Sequence, residues 1–142
     1  MKMKLMLGLM ISVLATLGYA GEQDKLERER KATCVRYLVD LQKADYKEIV
    51  ELFDKNGYVI STSKGHMNAK DFFYSFLPNI RTAKTELHET FVGSGKYAVR
   101  FSFDFEMKDG EKGHGEYIDE FIFVPDMAKI MSVSMFENLH FE

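Results

Sequence analysis

The sequence is poor in cysteine, proline and tryptophan. Its 142 residues include one cysteine, two prolines and no tryptophan. A single cysteine excludes an intramolecular disulfide. Cys34 falls on an apolar helical stripe, which predicts a buried thiol without redox chemistry. With only two prolines and no low-complexity tract, the sequence gives no sign of a linker and predicts a single domain over residues 21–142.

An excess of basic residues is also absent. The chain has 19 Lys and Arg against 22 Asp and Glu, a net charge of −3. The sequence has no basic stripe, so the protein is a poor candidate for binding nucleic acid or anionic lipid. The four histidines have no HxH or HxxxH spacing, whereas zinc needs three or four converging ligands. Because a phosphate loop and a dinucleotide fingerprint are missing too, the sequence predicts no metal site and no cofactor.

One long hydrophobic run is present, at the N-terminus. Lys2 and Lys4 precede the apolar stretch Leu5–Leu17, and small residues stand at −3 and −1 of a cleavage point after Ala20. This is the pattern of a secretory signal peptide. The run is shorter than the ~20 residues that a membrane span needs, although an uncleaved anchor is the alternative. We therefore predict a signal peptide over residues 1–20 and a periplasmic or secreted domain without a stable membrane anchor after cleavage.

The first half of the mature chain is predicted to be mainly helical. Glu22–Ala44 carries an apolar stripe of Cys34, Tyr37, Leu38 and Leu41 at helical spacing. Asp45 and Asn68 are predicted to cap two further helices, the first ended by Asn56-Gly57 and the second by Pro78. A short strand, Tyr58–Thr62, lies between these two helices.

The second half is predicted to be a four-stranded antiparallel meander. Its strands are separated by turn signals, of which Gly93-Ser94-Gly95 and Asp109-Gly110 are the clearest. Tyr97–Met107 alternates apolar with polar residues, which is typical of a strand with one buried face. The predicted strands are 85–92, 97–107, 115–124 and 129–136. Helices placed first and strands placed last predict an α+β fold, with three N-terminal helices packed on a curved antiparallel β-sheet.

The closing strands carry a family resemblance. Tyr117–Phe123, a turn and then Lys129-Ile130 are similar to the closing hairpin of the NTF2-like superfamily, which includes ketosteroid isomerases and SnoaL-like cyclases. The family usually has Asp-Gly-Lys-Ile at this turn, whereas this chain has a longer turn, Asp126–Ile130. The resemblance implies a cone that encloses a pocket, and a homodimer formed through the outer face of the sheet. It does not imply one function, because the fold hosts enzymes, ligand binders and interaction modules.

The resemblance also allows isomerase chemistry to be tested against the residues. That chemistry needs a carboxylate base together with a tyrosine and a protonated acid that donate hydrogen bonds to the substrate oxygen. In related isomerases the base follows the first strand, where this chain has Val59–Gly65 and no carboxylate. The sequence therefore does not favour catalysis. If the protein is an enzyme, the candidate residues are Asp119 or Asp104 as acid–base group and Tyr37 or Tyr58 as donor.

Asp119 is the polar residue that most needs an explanation. It shares a predicted strand face with Tyr117, Phe121 and Phe123. A carboxylate on an apolar face is either a functional group with a perturbed pKa or one member of a buried pair, for which Arg100 and His88 are the predicted partners.

Three functions stay open at this point: a binder of a small hydrophobic ligand, an isomerase- or cyclase-type enzyme, and an interaction module that acts through the sheet. The first is the one we expect. Its predicted ligand-binding residues are Tyr37, Tyr58, Phe76, His88, Phe101, Phe103 and Asp119.

Overall fold

The structure, a computed structural model, describes residues 2–142, with side chains described from residue 18 onward. The predicted signal peptide, residues 1–20, lies mainly outside the part whose side chains are described, and its cleavage stays a prediction. Within the described part of the chain, no helix combines the length and the apolar composition needed to cross a membrane.

The fold is α+β, with helices in the first half of the chain and a curved six-stranded sheet. The elements are α1 (Lys2–Gln42), α2 (Tyr46–Glu51), β1 (Phe53–Ser61), β2 (Gly65–Asn68), α3 (Ala69–Tyr74), a 3-10 turn (Leu77–Asn79), β3 (Ile80–Gly93), β4 (Lys96–Met107), β5 (Lys112–Phe123) and β6 (Ile130–Phe141). Strands β3–β6 form the predicted antiparallel meander, within the sheet order β2-β1-β6-β5-β4-β3.

The sheet is mixed, which corrects the prediction of a wholly antiparallel one. β1 pairs in parallel with β6, with Val59 opposite Val133, and antiparallel with the unpredicted strand β2. Parallel neighbours are far apart in sequence because they need a long crossover, so no local pattern indicates this pairing. Because Ser61 at the end of β1 pairs with Met135, the connection between β1 and β2 lies beside the C-terminal part of β6.

The helix boundaries differ from the prediction in one instructive place. Asp45 and Asn68 cap α2 and α3 as predicted, accepting hydrogen bonds from the amides of Glu48 (3.1 Å) and Lys70 (2.9 Å). However, α2 ends before β1 begins, so Gly57 lies within a strand and does not terminate a helix. A Cβ at Gly57 would lie 2.8 Å from the carbonyl oxygen of Asp54, which explains why glycine stands there.

Helix α1 covers the inner face of the sheet and fixes the position of Tyr37. The predicted stripe of Cys34, Tyr37, Leu38 and Leu41 is fully buried. Burial raises the pKa of the Cys34 thiol to about 12, which leaves it protonated and unreactive.

Arg30 holds α1 against the turn between β5 and β6. Its Nε donates to the carbonyl oxygen of Met127 at 2.9 Å and its Nη2 donates to that of Val124 at 3.1 Å. The guanidinium lies 5.2 Å from the ring centroid of Phe123. Asp126 adopts a positive φ of 58° within this turn.

Candidate functional site

A cavity of about 300 Å³ lies between α1, α3 and the inner face of the sheet. This volume is at the lower end of the range for small-molecule pockets, which is about 300–1,000 Å³. Its lining is mostly aromatic and aliphatic, with a few charged groups. The lining residues are Tyr37, Leu41, Ser63, Lys64, Phe72, Phe76, Phe101, Phe103, Phe105, Met107, Glu111, Tyr117, Asp119, Met135, Glu137, Leu139 and Phe141.

The period of two along β4 and β5 builds the aromatic wall of this cavity. Phe101 and Phe103 point inward from β4 and meet Tyr117, which points inward from β5. The rings of Phe101 and Tyr117 stack, with centroids 5.3 Å apart and planes 16° apart, and Phe103 meets Tyr117 edge-on at 6.2 Å. The wall therefore consists of three aromatic rings in mutual contact.

Two glycines on β5 make room for these rings. A Cβ at Gly115 would lie 2.5 Å from the ring of Tyr117, and a Cβ at Gly113 would overlap the ring of Phe105. The two rings occupy space that side chains at these inward positions would otherwise fill. Gly113 and Gly115 thus help to set the volume of the cavity.

A buried dyad of Tyr37 and Asp119 lies at the floor of the cavity. The Tyr37 hydroxyl donates to Asp119 Oδ2 at 2.9 Å, across 82 residues of sequence. Asp119 is 1% exposed, and its Oδ1 has no hydrogen-bond partner among the described residues. Since buried polar atoms are rarely left unpaired, Oδ1 is the polar atom of the cavity floor that requires an explanation.

The environment keeps this carboxyl protonated at neutral pH. Burial raises the pKa of Asp119 to about 8, with a further rise from the nearby Glu137 carboxylate and an opposing effect of the Tyr37 hydrogen bond. Burial also raises the pKa of Tyr37 well above its ordinary value, with Asp119 adding to the rise. Burial, Glu137 and Asp119 raise the pKa of Tyr117 as well.

The β1–β2 connection closes one side of the cavity. Glu137 on β6 accepts hydrogen bonds from the Thr62 hydroxyl at 2.7 Å and from the Ser63 amide at 3.1 Å. The Lys64 ammonium donates to the Ser75 hydroxyl at 2.5 Å. It also lies 5.6 Å and 5.4 Å from the ring centroids of two cavity residues, Phe72 and Phe76.

Sequence reasoning missed the carboxylates Glu111 and Glu137. The predicted last strand stopped at Phe136, whereas β6 continues to Phe141. Over this extension Glu137 and Leu139 continue the inward positions that include Met135, so the signal for Glu137 was a carboxylate on an apolar face.

Five of the predicted site residues line the cavity: Tyr37, Phe76, Phe101, Phe103 and Asp119. The other three lie elsewhere. Tyr58 stacks on His66, with ring centroids 4.5 Å apart. His88 lies 3.7 Å from Glu116, and Asp104 pairs with His114, in both cases away from the cavity.

The expected partner of Asp119 is therefore corrected to Tyr37. Asp119 pairs in register with Val99, so the next residue on β4, Arg100, points to the opposite face of the sheet. There Arg100 lies 3.8 Å from Glu89.

The outer face of the sheet carries a second concavity, the outer groove. It combines apolar residues with charged ones, and two of the apolar side chains, Ile118 and Phe136, are 41% and 58% exposed. The groove is lined by His88, Arg100, Glu116, Tyr117, Ile118, Phe136, Glu137 and Asn138.

In the part of the chain that the structure describes, no group of three or more His, Cys, Asp or Glu is placed to hold a metal ion.

The architecture is an α+β fold similar to NTF2-like and ketosteroid isomerase-like folds. The chain is similar to SalBIII, an epoxide hydrolase/cyclase-like enzyme with a role in pyran ring formation in the polyether salinomycin. The two chains are 20% identical with a TM-score of 0.67, and the match covers 79% of this chain and 92% of that one. It is also similar to the BvnE pinacolase from Penicillium brevicompactum, with 14% identity, a TM-score of 0.69, and coverage of 80% and 88%.

A third similar structure is a hypothetical protein with a ketosteroid isomerase-like fold from Catenulispora acidiphila in complex with trimethylamine. It has 9% identity, a TM-score of 0.62, and coverage of 73% of this chain and 83% of that one. No family model matches the chain, and no curated protein is similar to it in sequence. The structural similarities confirm the predicted NTF2-like fold.

Proposed function

We propose that this protein binds a small apolar ligand that carries one polar group, with the ring or chain in the cavity and the polar group at Asp119. The observation that carries this proposal is the unpartnered Oδ1 of a carboxyl that is 1% exposed and faces an aromatic cavity. Ligand pockets typically combine an apolar lining with a few placed polar groups, and this lining has that composition.

The size of the cavity limits the size of the ligand. At the packing density of protein interiors, about 0.75, a ligand that fills 300 Å³ has a van der Waals volume of roughly 220 Å³. This corresponds to a molecule of one or two rings with a short substituent.

A glycine substitution tests the proposal without touching a polar group. Gly115→Ala forces the ring of Tyr117 to move, which we expect to weaken the binding of prodan, a neutral dye with two fused rings, by at least fivefold in a fluorescence titration. Gly93→Ala is the matched control, because a Cβ there meets nothing within 4 Å. Equal dye binding by the wild type and both variants, or no binding by any of them, would contradict a ligand site in this cavity.

A second candidate function is acid catalysis of an isomerase, cyclase or lyase reaction. The observation that favours it is the Tyr37–Asp119 dyad, since a carboxylic acid kept neutral at pH 7 can donate a hydrogen bond to a substrate oxygen, as in ketosteroid isomerase. Against it, Val59–Gly65 contains no carboxylate base. The test is the absorbance change when a β,γ-unsaturated ketone becomes conjugated. A rate that Asp119→Asn lowers at least tenfold supports this function, and a rate equal to that of buffer removes it.

We also propose a homodimer formed through the outer groove, and this surface would equally serve an interaction module. Exposed Ile118 and Phe136 stand there beside oppositely charged groups, which can make a surface complementary to itself. Light scattering should give twice the chain mass for the wild type and a monomer for Phe136→Glu. A wild-type monomer would contradict the dimer.

The proposed location is the periplasm or the exterior, following the signal-peptide pattern of residues 1–20. The intact mass of protein made in a secreting host should correspond to residues 21–142. A mass that retains residues 1–20 would contradict export with cleavage.

A further inference from the structure

We infer that the cavity ligand is an organic cation: an amine on an aromatic or alicyclic body, with its ammonium group between the carboxyl groups of Asp119 and Glu137. This inference rests on the proposed function and specifies the chemical class of the ligand. It follows from the arrangement of charged and aromatic groups around the cavity.

The two carboxyl groups belong to one site. Asp119 and Glu137 lie on the adjacent strands β5 and β6 and both line the cavity. In the register, Glu137 is opposite Tyr117 and Asp119 is opposite Met135. The two acidic residues are therefore diagonal neighbours on the inner face, within reach of one bound group.

The charges around this site favour a cation. Besides the neutral carboxyl of Asp119, the lining residues that the structure describes include two acidic ones, Glu111 and Glu137, and a single basic one, Lys64. The ammonium of Lys64 is already hydrogen-bonded to Ser75 and lies over two rings of α3. An anionic ligand would meet an excess of carboxylates, whereas an ammonium would neutralise part of that excess.

The walls supply the second element of an amine site. Cations are attracted to aromatic faces within about 6 Å of the ring centroid, and this is the means by which many proteins hold organic ammonium groups. Phe101, Phe103 and Tyr117 form a continuous wall next to Asp119. Lys64 shows the same preference within the chain, since its ammonium lies over Phe72 and Phe76.

Binding should also release a proton. The titratable groups around Asp119 are Tyr37 on α1, Tyr117 on its own strand and Glu137 on β6, and Lys64 and Glu111 also line the cavity. Because Asp119 is protonated at neutral pH in the free protein, an ammonium that pairs with it displaces that proton. Affinity for an amine should therefore rise with pH up to about 8, the pKa of Asp119.

Three probes of nearly equal size and shape test the inference: 2-naphthylmethylamine, 2-naphthylmethanol and 2-naphthoate, which are cationic, neutral and anionic. Isothermal titration calorimetry at pH 8 should show the amine binding at least tenfold more tightly than the other two. Repeating the titration in buffers of different ionisation enthalpy at pH 7 should show about one proton released with the amine and none with the alcohol.

Matched variants locate the recognition. Asp119→Asn keeps the shape and neutrality of the protonated acid, so the protein should fold, and it should lose at least tenfold in amine affinity with less than a threefold change for the alcohol. Glu137→Gln should weaken amine binding in the same direction. Asp104→Asn makes the same Asp-to-Asn substitution on a side chain that does not line the cavity and should leave all three affinities unchanged.

The possible results test three separate claims: that the ligand is a cation, that the pocket binds a ligand at all, and that the cation lies at Asp119. Tighter binding of the alcohol or of the naphthoate would overturn the cationic class while leaving a ligand pocket in place. A failure of all three probes and of prodan to bind would overturn the pocket itself and the inference with it. Amine binding that Asp119→Asn leaves unchanged would place the cation elsewhere and also overturn the inference.

Discussion

At the scale of single residues, the account depends on Asp119. A carboxyl buried among aromatic rings is kept neutral by desolvation, and the Tyr37 hydroxyl pairs with one of its two oxygens. The other oxygen has no partner within the described part of the chain. A buried polar atom left in this way costs about 1–3 kcal/mol, and a ligand group that pairs with it would remove that cost.

This carboxyl should make stability depend on pH. The pKa of Asp119 is about 8 in the folded protein and about 4 in an unfolded chain. Between these values the native state holds a proton that the unfolded state has lost, so the contribution of Asp119 to the free energy of unfolding falls as pH rises through this window. Urea denaturation at pH 5 and pH 8 should show a larger loss of stability for the wild type than for Asp119→Asn. Equal losses would contradict the raised pKa.

Removing the hydroxyl of Tyr37 should also destabilise the protein. Tyr37→Phe leaves both oxygens of Asp119 unpaired, and we expect a loss of about 1–3 kcal/mol in the free energy of unfolding. Tyr58→Phe is the control, because Tyr58 stacks on His66 away from the cavity. Chemical denaturation of both variants is the measurement, and equal effects would argue against a buried dyad.

At the scale of elements, local patterns predicted the meander well. Alternation along β4 and the turn at Asp109-Gly110 are properties of neighbouring residues, and the structure confirms both. The caps at Asp45 and Asn68 were predictable for the same reason.

Pairings between distant elements were not predictable in this way. The parallel pairing of β1 with β6 joins segments about 70 residues apart, and nothing in either segment specifies the other. The hydrogen bond between Tyr37 and Asp119 spans 82 residues, so both residues could be predicted as candidates without being predicted as partners. Glu137 was missed because the end of a strand is the least certain part of its prediction.

The attachment of α1 to the β5–β6 turn is testable at this scale. Arg30→Met keeps the length of the side chain but removes the hydrogen bonds to the carbonyl oxygens of Met127 and Val124. We expect a loss of about 1–3 kcal/mol in stability, since two carbonyl groups lose their charged donor. Lys31→Met, which removes only an exposed ion pair with Glu27, should change stability by less than about 1 kcal/mol. Similar losses in both variants would contradict the role of Arg30.

At the scale of the whole molecule, the fold separates two surfaces. The inner face of the sheet and the helices enclose the cavity, with Asp119 and Glu137 on neighbouring strands. The outer face carries the outer groove, with exposed Phe136 among charged groups. Tyr117 and Glu137 line both concavities, so a ligand in the cavity and a second copy of the chain in the outer groove would lie next to the same two residues.

The most direct test of the central claim is an NMR titration that follows the side-chain carboxyl carbons while 2-naphthylmethylamine is added at pH 7. We predict that the Asp119 carboxyl resonance moves to its deprotonated position and that Glu137 shifts with it, while Asp104 stays unchanged. An Asp119 resonance that does not respond to saturating amine would contradict the claim that this carboxyl receives the ligand.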